Sequence, residues 1–367
     1  MARVLVKEIV DNRKNFIING ALDFHQRWAG ASNVVNTAST INGYMADRVN
    51  YGSVGSTVKN YSLQRNTDIP TIAQSGFGLS YSHNFGCLTG IPSFAAGDFI
   101  YPWNYNMEGY DYGELHGKSC VLAFWFQAQV NGTYGVVFKQ AGAGRTYTTT
   151  FSYSGSTTWQ KIVVPITFET SGSYNVNNSS LGISISIGSV GGSTFISPAN
   201  NVWQTGDYPV AAGVTNWFST ALNYIRIAGV QLNIGTTVAN FQRYGINLED
   251  ELKVCQRYYE KSYGLEQTPG TATLNGMFAF PTDAANANNA VLLRFKVTKR
   301  NTSYTTPIWD AVGAAGVYTS YNTAYVQANG QTGLSNVGQN EEGWHVRLTT
   351  GSGRVAAFLH WAVDAEF

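Results

Sequence analysis

The feature that most constrains the fold is a strict alternation of apolar and small polar residues. In LGISISIGSV, residues 181–190, Leu181, Ile183, Ile185 and Ile187 alternate with glycine or serine. Successive side chains of a β-strand point to opposite faces, so this period of two puts one apolar face against a core. Further strand-like segments, separated by turn signals, lie at 119–130, 131–140, 145–155, 158–169 and 223–235. This succession of short strands predicts an all-β chain containing a jelly-roll β-sandwich.

The composition agrees with strands and argues against a helical enzyme. Charged residues make up 12% of the 367 residues, aromatic residues make up 14%, and there are 39 glycines. Aromatic and β-branched side chains fit a pleated surface, and glycine supplies turns. The net charge of +1 provides no strong field for nucleic acid or an anionic bilayer, so neither is an expected partner. No apolar run has the length of a signal-peptide core or a membrane span, so we expect no membrane insertion.

One helix interrupts the strand pattern, and it divides the chain. Residues 247–264 place Leu248, Leu252, Cys255 and Tyr259 on one stripe, with Asn247 as a plausible N-cap. Strand candidates return after Gly264, as a second, smaller β-sandwich-like domain. The predicted organisation is therefore an N-terminal arm at 1–14, a jelly roll at 15–246, a linking helix at 247–264 and a C-terminal β domain at 265–367.

The cysteines and histidines do not have the spacing of a metal site or a disulfide framework. Cys87, Cys120 and Cys255 are far apart and odd in number, so we interpret them as small buried hydrophobic residues. The histidines are scattered, and each is interpreted as structural or surface-exposed: His25, His83, His116, His345 and His360. We predict no metal and no cofactor.

Enzymatic chemistry has little support in the sequence. No zincin, nucleophile-elbow, Walker or dinucleotide-binding motif is present. A pair of carboxylates facing each other across a groove would suffice for a glycosidase, and four acids flank an aromatic segment: Asp98, Glu108, Asp111 and Glu114. Spacing along a loop does not establish such a pair, and the simpler interpretation is solvated loop acids. The chain is therefore predicted not to be an enzyme, with no catalytic residue.

Sugar binding requires only a flat aromatic face and nearby planar polar groups. The segment 99–117 is interpreted as a loop that displays rings, and its residues 101–112 as the lining of a glycan groove. The candidate residues there are Trp103, Tyr105, Tyr110 and Tyr112, with Asn104 and Asp111 among them. A second candidate segment, 201–210, offers Trp203 and Tyr208. The competing interpretation is that these rings fill a subunit interface or the sandwich core.

Several motifs together resemble a known class of proteins. They are NFIINGALDFHQRW at 15–28, YMADRV at 44–49, GKSCVLAFWFQAQVNGTYGVVF at 117–138, YIRIAGVQLNIGTTVANFQRYGINLEDELKVCQRYYEKSY at 224–263 and LHWAVDAEF at 359–367. The chain resembles phage tail-fibre and other receptor-binding virion proteins that carry a jelly roll of the carbohydrate-binding-module type. The most specific piece is Cys255-Gln256-Arg257-Tyr258-Tyr259. Asn233 and Gln242 stand where the pattern has acids, so an acid-dependent metal site of relatives is not expected.

The resemblance implies a non-enzymatic virion protein, a tail fibre or receptor-binding protein that attaches to a host surface glycan. It further implies a homotrimer that contacts other virion proteins, located on the tail or capsid surface and made in the host cytoplasm. Two alternatives stay open. One is a structural head fibre, capsid decoration or adaptor protein. The other is a glycan-degrading tailspike, for which the repeating rungs of a long parallel β-helix would be expected and are not found in the sequence.

Overall fold

The computed structural model describes residues 14–28, 34–140, 144–282, 290–348 and 354–367. The predicted N-terminal arm, except for its last residue Lys14, lies outside the described residues. The chain divides into two compact units, described separately below. The first unit comprises Met1–Asp23 and Ala31–Glu251, and the second comprises Phe24–Gly30 and Leu252–Phe367.

The described residues of the first unit form two antiparallel sheets. The six-stranded sheet has the spatial order β1 (Val34–Ala38), β4 (Lys59–Asn66), β5 (Ser82–Cys87), β14 (Tyr224–Ile234), β7 (Ser119–Ala128) and β10 (Gln160–Thr167). The eight-stranded sheet has the order β13 (Trp203–Thr205), β9 (Arg145–Tyr153), β8 (Gly132–Gln140), β11 (Leu181–Ile187), β6 (Phe99–Glu108), β3 (Val49–Val54) and β2 (Ile41–Ala46), with β12 (Val190–Gly191) also paired to β6.

Aromatic rings from the two sheets meet in the core of the first unit. Tyr51 of the larger sheet makes an edge contact with Tyr61 of the smaller one, at a centroid separation of 6.1 Å. Further along, Phe126 of β7 contacts Tyr134 of β8 at 4.7 Å. These inner faces are almost fully buried. Each buried ring removes a large apolar area from water, so this ring-filled space is the main source of stability of the sandwich. The predicted all-β fold is confirmed.

Three helices are described, and all are short: α1 (Ile72–Ser75), α2 (Gly109–Leu115) and α3 (Leu248–Gln256). The side chain of Asn247 accepts a hydrogen bond of 2.9 Å from the backbone N–H of Asp250, which confirms the predicted N-cap. The predicted end at residue 264 is wrong. The chain leaves the helix after Gln256, and β15 (Tyr259–Lys261) pairs with β23 (Arg354–Asp364). A strand partner far away in sequence, invisible to a helical pattern, overrides the local preference.

The second unit is also built from antiparallel strands. One sheet has the order β15, β23, β19 (Tyr318–Asn322) and β20 (Gln327–Gln331), with β16 (Phe278–Pro281) and β18 (Ile308–Trp309) also paired to β23. The other has the order β17 (Ala290–Arg294), β22 (Gly343–Leu348) and β21 (Leu334–Asn340). Their core contains Leu293, Tyr318, Trp344 and Leu359.

Residues near position 26 belong to this second unit, although the predicted jelly roll included them. Gln26 donates from Nε2 to the carbonyl oxygen of Tyr259 at 3.1 Å. Arg27 donates from Nη2 to Oδ2 of Asp364 at 3.0 Å. A buried ion pair lies in the same unit, because Nζ of Lys299 is 2.6 Å from Oε2 of Glu260 and both side chains are inaccessible. Such a pair tolerates burial only when both partners remain.

The predicted roles of the cysteines are confirmed: Cys87, Cys120 and Cys255 are buried. His83 on β5 is likewise a structural residue. Its ring is fully buried, and Nε2 lies 2.7 Å from the carbonyl oxygen of Pro102, to which the neutral ring donates. Burial lowers the pKa of His83 to about 4, while the Pro102 carbonyl acts in the opposite direction.

Replacing His83 with Asn should reduce the loss of unfolding free energy that occurs as the pH falls below about 6.5. Below the ordinary histidine pKa of 6.5 the unfolded chain binds a proton that the folded chain excludes down to about pH 4. Stability is therefore lost as the pH falls through this window, by at most about 1.4 kcal/mol per pH unit from this residue. Urea unfolding at several pH values, followed by tryptophan fluorescence, measures the slope. An unchanged slope in the variant would show that His83 does not titrate in this way.

Candidate functional site

The segment predicted to display rings is instead a strand. Residues Phe99–Glu108 form β6, which pairs with β3 on one side and with β11 on the other. Asn and Gly in this segment suggested a loop, but β6 is hydrogen-bonded to a strand on each side and is therefore an interior strand of the sheet. The prediction of a loop at 99–117 is therefore wrong, and α2 follows the strand directly.

Most of the predicted rings in this segment face the core. Trp103, Tyr105 and Tyr112 are fully buried, so no sugar can reach their faces. Their assignment to a glycan groove is wrong, and the competing interpretation that they fill the sandwich core is confirmed. Tyr110 on α2 is 55% exposed. Asp111 is half-buried and accepts a 2.8 Å hydrogen bond from the hydroxyl of Tyr244, while burial raises its pKa.

Asn104 belongs to a chain of neutral polar side chains on the other face of β6. Its Nδ2 donates to Oδ1 of Asn50 at 2.7 Å and to Oδ1 of Asn106 at 3.1 Å. Its Oδ1 accepts from the hydroxyl of Ser186 at 2.7 Å. The chain continues at both ends, because Asn50 donates to Asn42 at 3.1 Å and Ser184 donates to Asn106 at 2.7 Å. We call these six residues the amide ladder.

The amide ladder is a structural feature of the sheet. Asn50, Asn104 and Asn106 are between 3% and 8% exposed, and their amide groups bond to one another. Because a buried amide without a partner is costly, this mutual bonding is what allows asparagine inside a sheet. With such low exposure, Asn104 is not available to an outside ligand.

The four acids considered for a glycosidase pair do not all come together. Asp98 immediately precedes β6 and Glu108 ends it, so about ten residues of strand put them roughly 30 Å apart. Asp98 is buried beside Lys59, with Oδ2 3.4 Å from Nζ, and it accepts a backbone hydrogen bond from Ser56. Glu114 is exposed and pairs with Lys14 at 2.7 Å. Asp98 is thus a structural acid that stabilises a turn.

Trp203 lies at an open cleft, unlike the rings of β6. The cleft has a volume of about 470 Å³. It lies where one edge of the larger sheet approaches the ends of β7 and β10 of the smaller sheet. The residues that line it are Ser119, Cys120, Tyr147, Pro165, Ile166, Thr167, Asn201, Val202, Trp203, Gly235 and Thr236. We call it the Trp203 cleft.

The aromatic wall of the cleft continues a row of rings from the core. In the sheet register Phe138 of β8 pairs with Tyr147 of β9, and Tyr147 pairs with Trp203 of β13. Phe138 is fully buried, whereas Tyr147 and Trp203 are half-exposed. The centroids of Tyr147 and Trp203 are 5.5 Å apart with planes at 48°. Two partly open rings at an angle thus form a corner of the cleft.

The Trp203 ring is held in place by a hydrogen bond away from its face. Its Nε1 donates to the carbonyl oxygen of Thr167 at 3.0 Å. This fixes the ring and uses its polar group, so that the exposed part offers an apolar surface. The buried Phe168 packs against Trp203 at a centroid distance of 6.4 Å. A fixed ring loses little conformational freedom when a ligand packs on it.

Hydroxyl and amide groups complete the cleft. The hydroxyls of Ser119 and Thr167 are 3.1 Å apart, and both residues are exposed. The exposed Asn201 accepts a 2.6 Å hydrogen bond from Thr149 through Oδ1, which orients its amide. Thr236 is also exposed and lines the same cleft. These groups can donate to and accept from a polyhydroxylated ligand.

Of the predicted glycan residues, the structure places Trp203 in the cleft and Tyr208 outside its lining. Sequence reasoning missed Tyr147 and Asn201 as members of one site. Asn201 is two residues before Trp203, which is a local signal. Tyr147 is brought in by the pairing of β9 with β13, for which the sequence carries no local signal.

The described residues contain neither a metal-binding cluster nor a membrane-spanning helix. No group of three or more His, Cys, Asp or Glu side chains among them is placed to hold a metal ion. None of the helices in the described part of the chain is long and apolar enough to cross a membrane.

Comparison with known proteins gave only remote structural matches. No protein-family model matches the sequence. No curated protein matches it either. The enzymatically active domain of tailspike protein 4 from Bacteriophage CBA120 matches with a TM-score of 0.32 and 10% identity over 60% of this chain, which spans only 21% of that domain.

Two carbohydrate-binding modules match at a similar level. One, solved with β-1,4-galactotriose, gives a TM-score of 0.28 and 11% identity over 60% of this chain and 99% of the module. The other, from Cellvibrio mixtus lichenase 5A and in complex with cellotriose, gives a TM-score of 0.20 and 14% identity over 54% of this chain and 95% of the module.

Substituting Asn104 with Ala should destabilise the first unit without touching the Trp203 cleft. The change removes three hydrogen bonds and leaves the buried amide of Asn50 and the hydroxyl of Ser186 short of a partner, at a cost of about 1–3 kcal/mol. The comparison variant is Asn42→Ala, which removes one hydrogen bond at the exposed end of the same ladder, where water can replace Asn42 as the acceptor for Asn50, so it should cost less than about 1 kcal/mol. Urea unfolding compares the two. Equal losses would refute the structural role of the ladder.

Proposed function

We propose that this chain is a non-catalytic glycan-binding protein of a phage particle, and that the Trp203 cleft holds the sugar. One observation carries the glycan-binding part: a half-exposed tryptophan and a half-exposed tyrosine form the corner of an open cleft whose other polar groups are hydroxyls and one amide. A pyranose ring has an apolar face that packs on an aromatic ring, and hydroxyls around its edge that need hydrogen-bond partners. The cleft offers both kinds of surface side by side.

The size and rigidity of the cleft support this assignment. Its volume of about 470 Å³ falls within the roughly 300–1,000 Å³ typical of small-ligand sites. The Trp203 ring is fixed by its bond to Thr167, and Asn201 by its bond from Thr149. The rigid rings and oriented polar groups reduce the entropy that binding would otherwise cost.

The phage assignment rests on the sequence resemblance in residues 15–28, 44–49, 117–138, 224–263 and 359–367. In this proposal the protein resides on the tail or capsid surface, assembles as a homotrimer with other virion proteins, and attaches the particle to a host surface polysaccharide. A structural head fibre, decoration or adaptor protein is the alternative that the same resemblance supports. Locating the protein on intact particles with a specific antibody distinguishes the tail from the capsid.

Replacing Trp203 with Ala should weaken glycan binding at least about ten-fold, because the apolar wall of the cleft is lost; ten-fold corresponds to about 1.4 kcal/mol. The measurement is isothermal titration with an oligosaccharide first identified on a glycan array. Trp159→Ala is the matched control. Trp159 is also a half-exposed tryptophan of the first unit, and its Nε1 also donates one 3.0 Å hydrogen bond, to Asp68, but it does not line the cleft.

The control variant should bind with the affinity of the unchanged protein. Thermal unfolding of both variants shows whether either substitution has disturbed the fold. Equal affinity of the Trp203 and Trp159 variants for the oligosaccharide would remove the Trp203 cleft as the binding site.

The absence of catalysis is part of the proposal and has its own test. Incubation of the purified protein with the polysaccharide that it binds should produce no new reducing ends, because no acidic side chain lines the cleft among the described residues. The appearance of reducing ends would favour the glycan-degrading tailspike. In that case Glu108→Gln and Asp111→Asn are the first variants to examine, because Glu108 lies close enough to Asp111 to raise its pKa.

A further inference from the structure

We propose that the Trp203 cleft selects neutral saccharide units over units that carry a carboxylate, sulfate or phosphate. This inference rests on the proposed function and names the class of ligand for the same site. It arises from the charges in and around the cleft, which the aromatic argument for glycan binding does not use.

The described residues that line the cleft include no Asp, Glu, Lys, Arg or His. The two lining residues that could ionise stay neutral near pH 7. Burial raises the pKa of the Cys120 thiol to about 12, and burial also raises the pKa of the Tyr147 hydroxyl. Only neutral hydroxyl, amide, thiol, aromatic and aliphatic surfaces therefore remain to contact a ligand.

Arg145, a guanidinium close to the cleft in the sequence, is already paired with a carboxylate. Arg145, two residues before Tyr147, donates from Nε and Nη2 to the two oxygens of Glu169. Its Nη1 donates to the hydroxyl of Thr205 at 3.3 Å. Glu169 also accepts a 2.6 Å bond from the hydroxyl of Tyr174. This closed network holds Arg145 away from the role of an anion receptor.

The other cations close to these strands do not line the cleft. Lys139 pairs with Asp207, with Nζ 2.7 Å from Oδ1. Lys118 precedes Ser119 in the chain and is exposed, and its charge lowers the pKa of the Cys120 thiol against the larger effect of burial, but Lys118 itself does not line the cleft. An acidic sugar entering the cleft would lose part of its hydration and find no lining cation to replace it.

Neutral sugars meet matching groups instead. The hydroxyls of Ser119, Thr167 and Thr236 can each donate or accept, so they adapt to either role of a sugar hydroxyl. The amide of Asn201 adds a fixed planar group. Binding a neutral unit thus exchanges water hydrogen bonds for protein hydrogen bonds, whereas an anionic unit would also lose charge solvation.

The test uses two sets of probes of equal length, neutral hexose oligosaccharides and uronic-acid oligosaccharides, with the full chain and isothermal titration. We expect the neutral set to bind at least about ten-fold more tightly. Thr236→Arg should raise the affinity for the uronic-acid set about ten-fold, because Thr236 is exposed at the cleft, where an added guanidinium can reach a bound carboxylate. The gain should shrink at high salt.

Ser80→Arg is the matched control. Ser80 is exposed in the first unit, does not line the cleft and gives the same change in net charge, so it should leave both affinities unchanged. The outcomes separate the two proposals. Tighter or equal binding of uronic-acid probes by the unchanged protein overturns charge selection but leaves glycan binding standing. A Thr236→Arg effect no larger than that of Ser80→Arg also overturns charge selection. Binding of neither probe set overturns both proposals.

Discussion

The burial of aromatic rings between two antiparallel sheets is the interaction on which the first unit depends. One row shows how this burial also creates the candidate site. It runs from Phe138, through Tyr147, to Trp203 across three neighbouring strands. The Phe138 ring is completely buried between the two sheets, whereas the Trp203 ring is partly exposed. The same row therefore stabilises the core at one end and presents an open aromatic surface at the other.

Hydrogen bonding between neutral side chains explains how a chain with few charges can build such sheets. Asparagine is disfavoured in strands because its amide competes for the backbone. In β6 and its neighbours this competition is removed, since Asn50, Asn104 and Asn106 bond to one another or to serines. Charged residues are fewer, and two of them form the buried Lys299–Glu260 pair of the second unit. The uncharged lining of the Trp203 cleft, among the described residues, follows from the same use of neutral polar side chains.

Part of the structure could be read from the sequence because it depends on local patterns. The alternation at 181–187 predicted β11, and Asn247 predicted the start of α3. The length of that helix was wrong, because Tyr259–Lys261 pairs with a strand about a hundred residues later. Among the glycan candidates, Trp203 was found from its aromatic and polar neighbours, but Trp103, in a similar local sequence, is buried in the core.

The sequence by itself determined that the chain is all-β, since the direction of alternate side chains is a property of the strand. It also determined that rings and neutral polar groups are the available chemistry. Only the tertiary structure decided which rings are exposed. That depends on where the opposing sheet ends, and this is fixed by pairings between distant strands. Tyr147 and Thr167 become members of one cleft with Trp203 for this reason, because long-range pairing, not their own sequence context, places them there.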